Sequence, residues 1–528
     1  MSKGTKIWMA GLLACSLSAA WAQDGSAGPT SPTSPTNPMP RKGSETWGTP
    51  FPGTPDMGAQ STQEPAYGQD NAPPPITENP PLSGLDMPSL EPHAAPLSYL
   101  QPGATVSESA DSNAANAPGT GTSFTSITRA LGSLQLRRLW SHYDLGLDYL
   151  GGVGYFTLDG QGAKLLQQMD LDQRITWKRG QLSLRDSFSY LPEGNFGASY
   201  GSLSSVGVTS LNNTAFGSFM GGSILGTLGL APRIVNVSVA DVTENLTPKS
   251  AVTASGGYAF THFYGNDVST GGPFIGVSQV SAQGGYNRLL TPHTQIALVY
   301  GYQAFDFSVS GMAFHTHVIQ AMVGKRITGR MDLLVGAGPQ ITLLQFCQLF
   351  MFGSCLGGQT PDTRIGVAGQ ARLRYKFPKT SLDLSYQRYE TSGSGFFAGA
   401  QTDLARLTVE RPLSRVWTAF TDTGYSRNSR LQSLSPAELA TCVYPGQPNP
   451  SGLPPCPGVD ANMYSYGFAG VGVHRQFGHD FHGFASYQFN ELYFDQSYCT
   501  PNTLCSRVSN AHVITIGLDW TPRPIRLD

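Results

Sequence analysis

The residues of this chain best able to do chemistry are six cysteines and a set of charges that recur at every second position. Cys347 and Cys355, Cys442 and Cys456, and Cys499 and Cys505 form three close pairs. Their spacings match no metal-binding or Cys-x-x-Cys redox pattern, so each pair is expected to be a disulfide closing a short loop, worth about 2 to 4 kcal/mol in the simple chain-entropy account. Arg364, Arg372 and Arg374 share one parity of a segment, Asp383 follows on the next, and Arg406 and Glu410 on the one after. Asp170, Asp172 and Arg174 form an earlier charged face. Two readings of these charges stand side by side. Opposed basic and acidic walls across a lumen would set up a transverse field that favours polar solutes; alternatively, neighbouring charges neutralise one another in a wet interior.

Catalytic constellations are weak. His512 beside Ser509, or His315 and His317, could suggest a barrel lipid hydrolase, and His315 and His317 share a strand face that could bind a metal but have no third ligand. The chain is therefore read as a non-enzyme with no metal and no cofactor. Its net charge of -2 gives no reason to expect nucleic acid as a partner.

Period-two alternation is what must position these groups. In 363–377, Ile365, Val367, Leu373, Tyr375 and Phe377 interleave with Arg364, Gln370, Arg372, Arg374 and Lys376. Segment 170–178 alternates in the same way. Sixteen such strands are read between 142 and 521, from 142–157 to 508–521. They are joined alternately by tight turns, such as Thr291-Pro292-His293, and by longer loops, and the cysteines all fall in the loops. Only 13% of the residues are charged and 62 are glycine, which suits a tightly turned sheet against lipid better than a soluble domain.

Residues 1–22 read as a signal peptide, with Lys3 and Lys6 before an apolar run and Ala20-Trp21-Ala22 as the cleavage site. Cys15 offers a rival lipoprotein reading. Residues 23–123 read as a disordered periplasmic tether, 124–141 as a lead-in, 142–521 as the barrel and 522–528 as a tail; half of the 38 prolines lie between 23 and 121.

On the alternation, the turn and loop asymmetry and the closing segment with Ile514, Ile516, Leu518 and Trp520, the chain resembles the Gram-negative outer-membrane β-barrels and is porin-like in strand number. The resemblance implies an all-β, antiparallel up-and-down transmembrane barrel in the cell outer membrane. It also implies contact with outer-membrane lipid and lipopolysaccharide, insertion by the barrel assembly machinery, and a homotrimer as one assembly open to it. The function expected is a porin-like channel for passive diffusion of small solutes. The alternatives are a surface anchor or adhesin presenting disulfide-braced loops and, behind it, the lipid hydrolase. The apolar loop 192–231, free of charged residues from Gly194 onward, is expected to cap or plug the lumen.

Overall fold

The computed structural model describes residues 98–113, 119–120, 124–157, 162–191, 233–247, 249–263, 275–308, 312–347, 350–351, 354–355, 359–393, 397–431, 461–499 and 505–527. The signal segment 1–22 with Cys15, the Pro-rich stretch to 97, loop 192–231, and Cys442 and Cys456 lie outside them.

Eighteen long strands form the wall. They are β1 Tyr99–Asp111, β2 Thr125–Leu139, β3 Tyr143–Phe156, β4 Gly162–Trp177, β5 Gly180–Leu191 and β6 Arg233–Thr247. Next come β7 Ser250–Phe263, β8 Val277–Thr291, β9 Thr294–Phe307, β10 Ala313–Thr328, β11 Met331–Cys347 and β12 Gln359–Lys376. The last are β13 Ser381–Thr391, β14 Ala400–Pro412, β15 Trp417–Arg430, β16 Met463–Phe477, β17 Phe481–Cys499 and β18 Cys505–Trp520. Each pairs antiparallel with its chain neighbours, and β1 pairs with β18, from Ala104 opposite Trp520 to Asp111 opposite Val513. The sheet is thus a closed barrel with no free edge, the one sheet form whose backbone polar groups are all satisfied inside lipid.

The count of sixteen and the barrel start at 142 need correction, because β1 and β2 precede it. Both were hidden for a physical reason. β1 turns Ala104, Val106 and Ala110 outward with Glu108 and turns Thr105, Ser107 and Ser109 inward, so its alternation carries little apolar contrast. In β2 the contrast is inverted near the loop end. Ile127 and Leu131 are buried on the inner face, while Ser126 and Thr128 lie outward and donate hydrogen bonds to Glu108. What makes β1 a strand is the seam it closes: Thr105 Oγ1 donates to Asp519 at 2.7 Å, and the Ser109 and Thr515 hydroxyls lie 3.0 Å apart.

Outward positions carry the apolar parity foreseen for 363–377, with Ile365 79% and Val367 58% exposed. All four described tryptophans, Trp140, Trp177, Trp417 and Trp520, stand exposed at the short-turn ends of the strands, together with Phe377 and Phe477. Tyr258 and Tyr425 face outward past mid-strand toward the loop ends, and Tyr300, Tyr386 and Tyr487 face outward above the short-turn row. Two aromatic rows with an apolar band between them are what a bilayer imposes on a barrel.

Candidate functional site: the lumen wall and its crossbar

The inner face of the short-turn half is built around arginine and aspartate on neighbouring strands. Arg137 binds Asp144 through Nε at 3.1 Å and Nη2 at 2.5 Å. Arg372 binds Asp383 through Nε at 3.1 Å and Nη2 at 2.6 Å, and Arg406 binds Asp422 at 2.9 and 2.5 Å. Arg185 also binds Asp241 through Nη2. In all four, the aspartate sits one same-face step nearer the short-turn end than the residue directly opposite the arginine. Arg372, for example, lies opposite Ser385, and Asp383 lies opposite Arg374. The long side chain reaches down the pleat, and three of the four pairs show the two-point geometry that a guanidinium and a carboxylate favour.

The other residues singled out from sequence fall around this belt. Asp170 accepts a 2.5 Å bond from Ser187 and Asp172 a 3.2 Å bond from Ser183. Arg174 is opposite Asp144, Arg374 is opposite both Asp332 and Asp383, and buried Glu410 is opposite Ser381. Arg364 is set apart nearer the loop end and donates to the Leu431 carbonyl at 3.1 Å. Strands β3 and β4 lie half-way round the ring from β12 and β13, so the acidic and basic faces are on opposite sides. Arg372 and Arg406 are nonetheless matched locally by Asp383 and Asp422, which fits local neutralisation better than a strong transverse field.

Toward the loop end the inner face becomes apolar along β8–β11 and β16–β17 and is crossed by chain, while Arg129, Gln168 and Arg233 keep it polar on the early strands. Pairing of β12 with β13 stops at Gly369 opposite Arg388, while β12 continues along β11 up to Gln359. The freed tip of β13 leans inward over β12. Glu390 there accepts hydrogen bonds from Thr316 of β10 at 2.7 Å and Thr342 of β11 at 2.5 Å. Beyond it, Ala398 and Leu431 pack with Phe305, Phe314, Leu344 and Val277, and Phe397 packs with Tyr464, Phe468 and Phe494. The Phe397 ring lies 5.2 Å from that of Tyr464, and the Arg430 guanidinium lies 4.7 Å above it. Residues 397–399 therefore reach from the β9–β11 wall toward the β16–β17 wall as a crossbar. Backbone bonds from Phe397 to Gly393, Gly399 to Ser392 and Leu431 to Gly399 hold it there.

Gly399 ends the crossbar in the left-handed region with φ of +94°, and Gly393, at the end of the β13 tip, has φ of +79°. A Cβ on Gly399 would stand 2.7 Å from Phe314 Cε1. Gly399→Ala is expected to cost about 1 to 3 kcal/mol through backbone strain and this clash. The measurement is the temperature at which the folded barrel loses its compact gel migration, which should fall; an unchanged temperature would show that the crossbar is not fixed at Gly399.

Sequence reasoning passed over Arg137, Arg185, Asp241, Asp422 and the crossbar. For Asp422 the signal was present: in a hairpin of known turn, an acid one step below the residue opposite Arg406 can be counted off. The 393–399 segment offered none, because its Gly-Ser-Gly composition is that of any exposed loop.

The structure separates the residues considered for catalysis. His512 faces outward within 2.9 Å of the Tyr487 hydroxyl, whereas Ser509 faces inward and accepts from Asn113 at 3.1 Å. His315 and His317 also face outward, bonded to Tyr302 and Tyr300. Among the cysteines, Cys499 and Cys505 are backbone register partners where β17 and β18 end. Non-reducing peptide mapping is expected to find Cys499 linked to Cys505 and Cys347 to Cys355; free thiols would remove the disulfide reading.

A closed antiparallel ring with an apolar, aromatic-bounded exterior and a charged inner belt defines a transmembrane β-barrel of the outer-membrane class. No family model matches the chain, and no curated protein matches it. Among solved structures, it is similar to Pseudomonas aeruginosa OccK5 (OpdH), with 12% identity over 81% of this chain and 98% of that one, at a TM-score of 0.37. It is also similar to the Pseudomonas aeruginosa outer membrane protein opdK, with 9% identity over 80% and 98%, at 0.38. The unliganded ferric citrate transporter FecA shows 9% identity over 81% and 79%, at 0.39. Similarity at this level is shared by barrels of different function and assigns no solute to this one.

Proposed function

We propose that the protein is an outer-membrane channel through which small solutes pass passively, with the crossbar setting the constriction and the Arg–Asp belt lining the path beyond it. The observation that carries this reading is the belt: ion-paired side chains line the inner face of a ring of eighteen strands, which is wider than inward side chains alone can fill. An anchor needs no such lining. The apolar loop-end arcs of β8–β11 and β16–β17, followed by a charge-compensated belt, suit solutes with an apolar body and a polar group better than bare salt ions.

Purified protein reconstituted into planar bilayers tests this. Discrete conductance steps are expected, small for a barrel of this strand number and with weak ion selectivity. Absence of any step from folded, inserted protein would end the channel reading in favour of the surface-anchor alternative.

A further inference from the structure

The outer surface carries a second feature that the channel reading does not use. Where the tip of the β13–β14 hairpin tucks inward, three charged side chains stand in one outward row: Arg388 opposite Asp403, and Asp403 opposite Arg427. Gly369 and Ser465, both small, flank the row on β12 and β16. Arg388 Nη1 lies 3.6 Å from Asp403 and its Nη2 donates to Gln401 at 3.2 Å, yet 41% of the side chain remains exposed. The Nε of Arg427 donates to the Met463 sulfur at 3.0 Å, and the side chain is exposed. The row has one more positive than negative charge.

Its height is informative. One same-face step toward the short-turn side lies the row Tyr386, Ala405, Tyr425. Trp417 and Tyr425 are eight residues apart on β15, roughly 20 Å along the membrane normal at ~3.3 Å per residue and a tilt near 40°. Arg388 and Arg427 therefore sit just beyond the tyrosine row, at the level of the headgroups of the external leaflet, where an outward arginine costs about 0 to 1 kcal/mol instead of the 2 to 4 of the midplane. On the membrane side of the row Tyr386 and Tyr425 and, one step further, Leu384 present exposed apolar side chains, and β12 stays in the wall where the hairpin leaves it.

We propose that this notch binds a phosphate-bearing glycolipid of the external leaflet. The two guanidinium groups take the phosphate, Asp403 orients Arg388 while accepting the Tyr386 hydroxyl at 2.8 Å, and the acyl chains lie along Leu384, Tyr386 and Tyr425 on the membrane side of the row. Guanidinium and phosphate match in both charge and geometry, and the neighbouring apolar wall selects a lipid over a free ion. The site faces away from the lumen and is independent of what the channel carries.

The test is native mass spectrometry of the full-length, detergent-purified protein titrated with lipid A carrying its phosphates, with dephosphorylated lipid A, and with inorganic phosphate as competitor. The wild type should retain phosphorylated lipid A and discriminate against the dephosphorylated form. Arg388→Gln with Arg427→Gln should bind the phosphorylated form about tenfold more weakly, as loss of charge-assisted contacts predicts. Arg388→Lys with Arg427→Lys should recover part of the binding, and compact gel migration of both variants establishes that each folds. Equal binding by the Gln variant, no discrimination against the dephosphorylated lipid, or full displacement by millimolar inorganic phosphate would each overturn the proposal. Bilayer conductance should be the same in all three proteins, so failure here is separable from failure of the channel reading.

Discussion

Replacing residues 392–399 by a short glycine turn should raise single-channel conductance several-fold while leaving the barrel folded, because a pore's conductance is governed by its narrowest constriction. The expectation follows from where the segment sits. Phe397 is fully buried against Tyr464 and Phe494, and Gly399 abuts Phe314 four strands away from β14, so the chain here occupies the interior. Strand pairing does not depend on it: β13 and β14 are in register from Ser381 opposite Glu410 up to Thr391 opposite Ala400, and a two-residue hairpin can join them. Removing the crossbar exposes Phe305, Phe314 and Phe468 to the lumen, so some thermal stability should also be lost. Planar-bilayer recording compares the two proteins. If both conduct equally, the crossbar is not the constriction, and if neither conducts, the barrel is not an open channel.

The second large effect is expected from Asp422→Ala. Arg406 holds both carboxylate oxygens of Asp422 from a buried position, and its guanidinium also lies 5.8 Å from the Phe468 ring. Removing the carboxylate leaves a buried cation with its main partner gone. For a fully dry site this costs about 3 to 5 kcal/mol, and water in the lumen lowers it toward the bottom of that range. Denaturant-induced unfolding in detergent reads the loss. The same substitution leaves the belt one positive charge richer, so the reversal potential in a salt gradient should move toward anion preference. Asp422→Asn should show the selectivity change with a smaller stability loss, since the amide oxygen still accepts from Arg406. A variant with neither lowered stability nor altered selectivity would place Asp422 outside the conducting path and assign it no structural weight.

Hairpins between short turns were legible because their information is local. The alternation of Ile365, Val367 and Leu373 with Arg364, Arg372 and Arg374 specifies both strand and face, and a turn such as Thr291-Pro292-His293 fixes the partner and the register. An exposed apolar parity and an inward charged parity, and with them a membrane barrel, were thus determined by the sequence alone. The two additional strands were not. β1 owes its state to β18, more than 400 residues away, and no window of sequence contains both edges of the seam. The charged residues could be named but not matched, because whether Arg372 meets Asp383 or faces the aspartates of β3 and β4 depends on which strands become neighbours when the ring closes. The crossbar lies furthest from sequence. Phe397 and Ala398 are two apolar residues in a small-residue loop, and only the inward lean of the β13 tip, held by Glu390 on Thr316 and Thr342, turns that loop into the lumen, where the apolar inner walls of distant strands supply the surface that buries it.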